Sequence, residues 1–236
     1  MKNTKLLVLI FLFLGYLLLL TPNNFAQEFR YQVQQEKLLK DSSGELIISV
    51  DKIEFKTKEE KNNLTWNYDE IELVQLDSPT KIKIWSYHDQ AWMLGRDKRF
   101  TFQVIAPLVD KVLIAFLRSR LERPFVISFA EDKENVIAQI QVKHSHRMGG
   151  CQGTIKIYPE QLTFVTPNGQ DSRSWHWKEI KSINRIDKWN LEIFTYENMT
   201  GGPKRSYQFK LKEPLPEKLY DQLWNNIYQN NLIEKD

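Results

Sequence analysis

The phrase "NNLTWNYDEI" at Asn62–Ile71 returns as "SRSWHWKEI" at Ser172–Ile180, 109 positions further along a chain of 236 residues. At that constant offset Gly44 meets Gly153, Phe55 meets Phe164, Trp66 meets Trp175, Glu70 meets Glu179, Ile71 meets Ile180 and Tyr87 meets Tyr196. After Tyr87 the first copy carries two extra residues, and an offset of 107 then pairs Phe102 with Phe209 and Pro107 with Pro214. A single repeat with a period near 100 reads as two successive units rather than a solenoid. The expected units are residues 28–122 and 136–231, joined by a linker at 123–135.

Each copy has the same local grammar. "GELIISV" and "GTIKIY", "KIKIWSY" and "LEIFTY", "RFTFQV" and "SYQFKL" alternate apolar with polar residues, the period of a half-buried strand. Turn-rich pieces such as "DSSG", "KEEKNN" and "TPNGQDS" separate them. Each copy ends in an amphipathic pattern. Val109, Val112, Leu113, Phe116 and Leu117 share one helical face in the first, and Leu219, Tyr220, Leu223, Trp224 and Ile227 in the second. The expected fold class is mainly β: two tandem antiparallel barrels or sandwiches, each closed by a C-terminal helix.

The repeated phrase constrains its own geometry. Trp66 and Tyr68, like Trp175 and Trp177, lie two residues apart and are expected on one face of a strand, with both Trp66 and Trp175 in the core. Ile71 lies an odd step beyond Trp66. Burying both requires a bulge or turn at Asp69–Glu70, and likewise at Lys178–Glu179.

The strand run, the W-x-[YW]-x-E-I phrase and the single terminal helix resemble the pleckstrin-homology-like (PH-like) superfold. More narrowly, they resemble bacterial exported tandem PH-like (GRAM-type) domain proteins. The resemblance spans Glu28 to Asn231. It implies a fold and leaves activity open, because this superfold hosts phosphoinositide, peptide and protein binders alike.

The N-terminus carries an address. Lys2 and Lys5 precede an apolar run at Leu6–Leu20, followed by a polar stretch ending at Ala26. That is the pattern of a signal peptide at 1–26, with a retained membrane anchor as the alternative; both place the body outside the cytoplasm, periplasmic or extracellular. Without Lys2 and Lys5 the remainder holds 31 basic against 30 acidic residues, so a nucleic-acid partner is not expected. One cysteine, Cys151, cannot form an internal disulfide.

Chemistry-bearing patterns are sparse. No G-x-S-x-G, H-E-x-x-H, C-x-x-C or phosphate-binding glycine loop is present, so the expectation is a protein that is not an enzyme and needs no cofactor. In "KHSHRMGGCQG", His144 and His146 share a strand face, and Gly149–Gly150 can fold Cys151 back toward them, a candidate set of metal ligands. As a nucleophile Cys151 lacks a flanking motif. His88 and His176 stand isolated in other segments. Arg96, Lys98 and Arg99 in "GRDKRF", with Lys204 and Arg205 in "GGPKRSY", form paired basic loops that suit anionic lipid headgroups. Phe125, Ile127 and Phe129 of the linker are placed over a seam between the copies, where a groove is the natural binding place. The leading expectation is a binding or scaffolding module of the cell envelope whose partner is a protein or peptide rather than lipid. Peripheral membrane contact through the basic loops, and metal binding, are the alternatives.

Overall fold

The computed structural model describes residues 27–37, 39–90, 93–122, 124–131, 133–146, 149–169, 171–198 and 204–232, with backbone alone at 88–90, 93–97, 146, 198, 204 and 230–232. Residues 1–26, where a signal or anchor is expected, lie outside the described residues. No described helix is long and apolar enough to cross a membrane.

The protein is mainly β. In chain order the first half contributes β1 (Phe29–Glu36), β2 (Ser42–Ile48), β3 (Lys52–Thr57), β4 (Leu64–Asn67), β5 (Ile71–Ser78), β6 (Lys81–Gln90), β7 (Met93–Ala106) and helix α1 (Lys111–Arg120). A short strand β8 (Phe125–Ile127) follows. The second half adds β9 (Ala138–His146), β10 (Gly149–Ile157), β11 (Gln161–Val165), β12 (Arg173–His176), β13 (Ile180–Asp187), β14 (Asn190–Asn198), β15 (Lys204–Leu211) and helix α2 (Glu217–Leu232).

All fifteen strands hydrogen-bond into one continuous order, β13-β14-β15-β9-β10-β11-β12-β8-β5-β6-β7-β1-β2-β3-β4. Within it, β5-β6-β7-β1-β2-β3-β4 of the first half has the same internal order as β13-β14-β15-β9-β10-β11-β12 of the second. Among the described residues the ladder does not close into two rings; it ends at β13 and β4. Each half nonetheless has its own apolar core. One is centred on Phe55, Trp66 and Phe102, the other on Phe164, Trp175 and Phe209.

The paired glycines have a steric reason. A Cβ on Gly44 would collide with the Lys56 carbonyl and the Phe55 ring, and one on Gly153 with the Val165 carbonyl and the Phe164 ring. Each glycine lets the neighbouring strand's aromatic ring lie against the backbone.

The repeated phrase folds as a strand followed by a tight turn. Trp66 and Trp175 are buried at 2% and 0% exposure, as expected. The turn between Trp and Ile is a 3-10 turn, Tyr68–Glu70 in the first copy and Trp177–Glu179 in the second. Tyr68 and Trp177 therefore belong to the turn rather than to the strand face assigned to them. Both still pack on their cores and anchor the turn: the Tyr68 hydroxyl donates to the Ser49 carbonyl at 2.6 Å, and the Trp177 indole N–H donates to the Pro159 carbonyl at 2.7 Å. The glutamate closes the turn. Glu70 accepts from the Asn67 N–H at 2.8 Å, and Glu179 from the His176 N–H at 3.0 Å. This is the carboxylate half of a capping box.

Both helices keep the expected amphipathic character, with one correction each. In α1, Asp110 caps the Leu113 N–H at 2.9 Å, and Leu113, Ile114, Phe116 and Leu117 are buried. Val112, expected inside, is 56% exposed, and Ile114 takes its place. In α2, Leu223 and Ile227 are fully buried, while Trp224 is 46% exposed and packs on Tyr228 with ring centroids 4.4 Å apart. Helix α2 lies on β13 and on the Trp177–Glu179 turn.

Candidate functional site

The seam between the halves is built by the linker. Strand β8 adds in parallel to β5 (Val74 with Phe125, Gln75 with Val126, Leu76 with Ile127) and also pairs with β12 through Ile127 and Ser174. The chain then lies across a polar face of the second half. The Glu131 N–H donates to the Ser174 hydroxyl at 2.7 Å, the Gln161 amide donates to the Glu131 carbonyl at 3.2 Å, and the Arg173 guanidinium donates to the Ser128 carbonyl. Gln161, Thr163 and Ser174 are fully buried there. Their counterparts in the first half, at an offset of 109, are Lys52, Glu54 and Thr65, and Lys52 and Glu54 form an ion pair at 3.2 Å. Burying that pair under a linker would require desolvating two charges. Gln161, Thr163 and Ser174 carry no charge, so covering them avoids that cost.

Helix α1 overhangs this seam. Arg118 reaches from α1 to the second half, its Nε donating to Glu179 at 3.3 Å and a terminal nitrogen to Glu131 of the linker at 3.3 Å. It also lies over the Phe125 ring at 5.8 Å. Glu179 and Glu131 are 3% and 8% exposed, so the guanidinium holds two buried carboxylates from two different segments. Burial pushes the Glu179 carboxyl up to about 7, against the opposing pull of Arg118 and the His176 N–H. Burial, followed by the charge of Arg118, pulls His176 down to about 4, so its imidazole is neutral at physiological pH.

Between α1, β8 and the Trp177–Glu179 turn lies a groove of about 640 Å³. Leu121, Phe125 and Tyr196 supply apolar wall; Arg118, His176 and Glu179 supply the polar one. At its rim the Lys133–Glu160 ion pair, 3.1 Å long, divides it from a second hollow of about 600 Å³ lined by Lys111, Asn135 and Tyr158. Lys133 holds the Glu160 carboxyl below the usual carboxylate range. A carboxyl titrating near 7 suits proton transfer, but both Glu179 oxygens are already engaged, one by Arg118 and one by the turn's N–H.

The residues singled out in the sequence are distributed elsewhere. His144 and Cys151 face each other across the β9–β10 pairing, with Sγ 3.9 Å from Nδ1; Gly149 and Gly150, expected to make the fold-back, are strand residues of β10 paired with His146 and Ser145. His144 is nonetheless a core residue, 4% exposed and packed against Phe164, Tyr207 and Phe209. Burial pushes the Cys151 thiol up, away from a reactive thiolate. The His146 side chain lies outside the described residues. Among the described residues no three His, Cys, Asp or Glu side chains gather to hold a metal ion.

The basic loops need correction. "GRDKRF" is not a loop but part of β7, where Lys98 pairs with Ser86 and Arg99 with Trp85 on β6. Lys98 and Arg99 are exposed, and the Lys98 ammonium sits 5.2 Å over the Phe100 ring. Lys204 and Arg205 likewise open β15, and Arg205 is half-buried. Its guanidinium lies 3.6 Å from the buried carboxylate of Glu197 and 4.9 Å over the Tyr207 ring. The side chains of Arg96 and Lys204 lie outside the described residues.

His176, set aside in the sequence as isolated, lines the groove, and Arg118 and Glu131 drew no attention at all. The sequence signals only that Glu179 repeats Glu70; that Arg118 and Glu131 converge on Glu179 depends on how the linker and α1 dock.

No family model matches this chain, and no curated protein matches it. Among solved structures, the C-terminal domain of an unknown protein from Leishmania infantum is similar over 40% of this chain and 84% of that one, at 15% identity and a TM-score of 0.32. The Spt16D–Pob3N heterodimer is similar over 72% of this chain and 84% of that one, at 13% identity and a TM-score of 0.30. Likeness at this level carries no argument about this chain.

Proposed function

We propose that this chain is a non-catalytic binding or scaffolding module of a bacterial cell envelope, built of two PH-like units, whose protein or peptide partner seats in the groove between α1, β8 and the Trp177–Glu179 turn. The observation that carries this reading is the groove itself. It is formed where two units meet, the usual place for a ligand site, and its walls are fixed by a shared strand and a bridging arginine. An apolar wall facing a few oriented polar groups is the composition of a recognition surface. Export through residues 1–26 supplies the compartment.

The test is site-specific photocrosslinking in cells that make the full chain, with p-benzoylphenylalanine at Ser119 or Glu122 in the groove and at Lys61, which is 80% exposed in a distant turn. A discrete adduct from the groove positions, absent from Lys61, is expected. No adduct from either groove position, or the same adducts from Lys61, overturns the assignment.

A further inference from the structure

The two β-hairpins that are equivalent in the halves differ at their tips in a way the fold does not require. In the first half the β5–β6 hairpin turns through Asp77, Ser78, Pro79 and Thr80, with a bulge at Asp77. Asp77 is held there by Lys83 and by the Gln75 amide. The backbone docks on the rest of its unit through Val104 N–H to the Thr80 carbonyl at 2.7 Å and Val109 N–H to the Pro79 carbonyl at 3.0 Å. In the second half the β13–β14 hairpin turns through Ile186, Asp187, Lys188 and Trp189, with the bulge at Ile186. Its backbone docks the same way, through Leu211 N–H to the Trp189 carbonyl at 2.8 Å and Leu215 N–H to the Lys188 carbonyl at 2.9 Å.

The backbone is the same and the side chains are not. Where the first half has an aspartate and a threonine, the second has Ile186, 63% exposed, and Trp189, 41% exposed. The polar version shows that this turn needs no apolar residue. Two large apolar groups on one short tip therefore call for a partner.

The surrounding charge says which kind. The Asp187 carboxylate is turned onto the hairpin, accepting from the Trp189 N–H at 2.6 Å and from the Asn190 amide at 2.8 Å. Glu217 of α2 faces Arg185 at 3.9 Å. Lys188 is exposed at the tip, its ammonium 5.7 Å over the Trp189 ring. An indole and an exposed aliphatic residue on one hairpin tip, with an ammonium on a flexible stem over the indole, complement the boundary of a bilayer. The indole lies at headgroup level, the aliphatic group reaches below it, and the amine turns up to phosphate.

We propose that the β13–β14 hairpin rests in the phospholipid headgroup layer with Ile186 and Trp189 inserted. The surface is distinct from the basic residues of β7 and β15, and it does not depend on the seam groove.

The test uses the full chain mixed with phosphatidylcholine–phosphatidylglycerol vesicles that carry bromine on the upper acyl carbons, reading tryptophan emission. Quenching in the wild type that disappears in Trp189→Phe is expected. It should also disappear in Ile186→Asp with an unaltered near-UV circular dichroism spectrum. Because residues 1–26 contain no tryptophan, this difference reports the hairpin even when the apolar N-terminal run enters the vesicle. Equal quenching in wild type and Trp189→Phe, or no quenching in the wild type, overturns the proposal.

Discussion

Arg118, on the helix that ends the first half, donates to Glu179 in the second half at 3.3 Å, and the same guanidinium holds Glu131 of the linker. One side chain thus ties together the helix, the linker and a turn of the second half. Removing it as Arg118→Met leaves two buried carboxylates without their cation, which costs about 3 kcal/mol. Urea unfolding should show that loss, and the triple variant with Glu131→Gln and Glu179→Gln should recover most of it. Equal instability in the single and triple variants would mean the arginine acts through packing alone.

The groove contains two groups with opposite pH dependence. Glu179 has a folded pKa of about 7 against an ordinary 4.5, so the stability it contributes is present at low pH and is lost as pH rises from about 4.5 through 7. His176 has a folded pKa of about 4 against 6.5, so its contribution is present above 6.5 and is lost as pH falls toward 4. The two slopes oppose each other over nearly the same window, and neither side chain is among the causes of the other's shift. Glu179→Gln should therefore gain stability with rising pH between about 4 and 6.5. His176→Gln should lose it between about 4.5 and 7. Chemical unfolding across that range reads both signs, and parallel pH profiles for the two variants would contradict the assignment.

Gly44→Ala and Gly153→Ala should each destabilise by about 1–3 kcal/mol, because the added methyl meets a strand carbonyl and an aromatic ring in both halves. Thermal unfolding compares them directly. A neutral effect at either position would show that the strand can shift without cost.

Glu197 is 1% exposed and accepts from the Tyr207 hydroxyl at 2.8 Å and from the Trp175 indole at 3.1 Å, with Arg205 3.6 Å away. Tyr207→Phe should cost about 1–3 kcal/mol by leaving the carboxylate short of a donor. Combined with Glu197→Gln in a double-mutant cycle, it should show a coupling of about 0.5–3 kcal/mol. Additive losses would mean the hydroxyl and the carboxylate do not act together.

The two apolar neighbours Leu223 and Trp224 provide a contrast. Leu223→Ala should cost about 2–5 kcal/mol, and Trp224→Ser within about 0.5 kcal/mol of nothing, since only the first side chain is fully buried. A large loss at Trp224 would mean that its packing on Tyr228 carries stability despite the exposure.

Much of this was legible in the chain because it is governed by neighbours in sequence. The duplication put Trp66 and Trp175 in the core, and the odd step to Ile71 and Ile180 forced a turn at the positions where the 3-10 turns lie. The alternating runs became strands. The same local logic failed where a residue's fate depends on what packs over it. Val112 and Trp224 satisfy a helical stripe yet face outward, and Arg205 reads as a solvated loop cation yet reaches the buried carboxylate of Glu197.

Glu70 and Glu179 mark the boundary between the two kinds of information. The sequence by itself determined that both close a tight turn, because a carboxylate three residues past an extended residue can reach back to its N–H wherever the phrase occurs. Only the tertiary structure decided that Glu70 remains partly exposed while Glu179 is buried under Arg118 beside a groove. That outcome depends on where β8 docks, and β8 docks where the covered face is Gln161, Thr163 and Ser174 rather than Lys52 and Glu54. Hydrogen bonds within a turn are set by the few residues that make it; desolvation is set by whatever distant segment comes to lie on top.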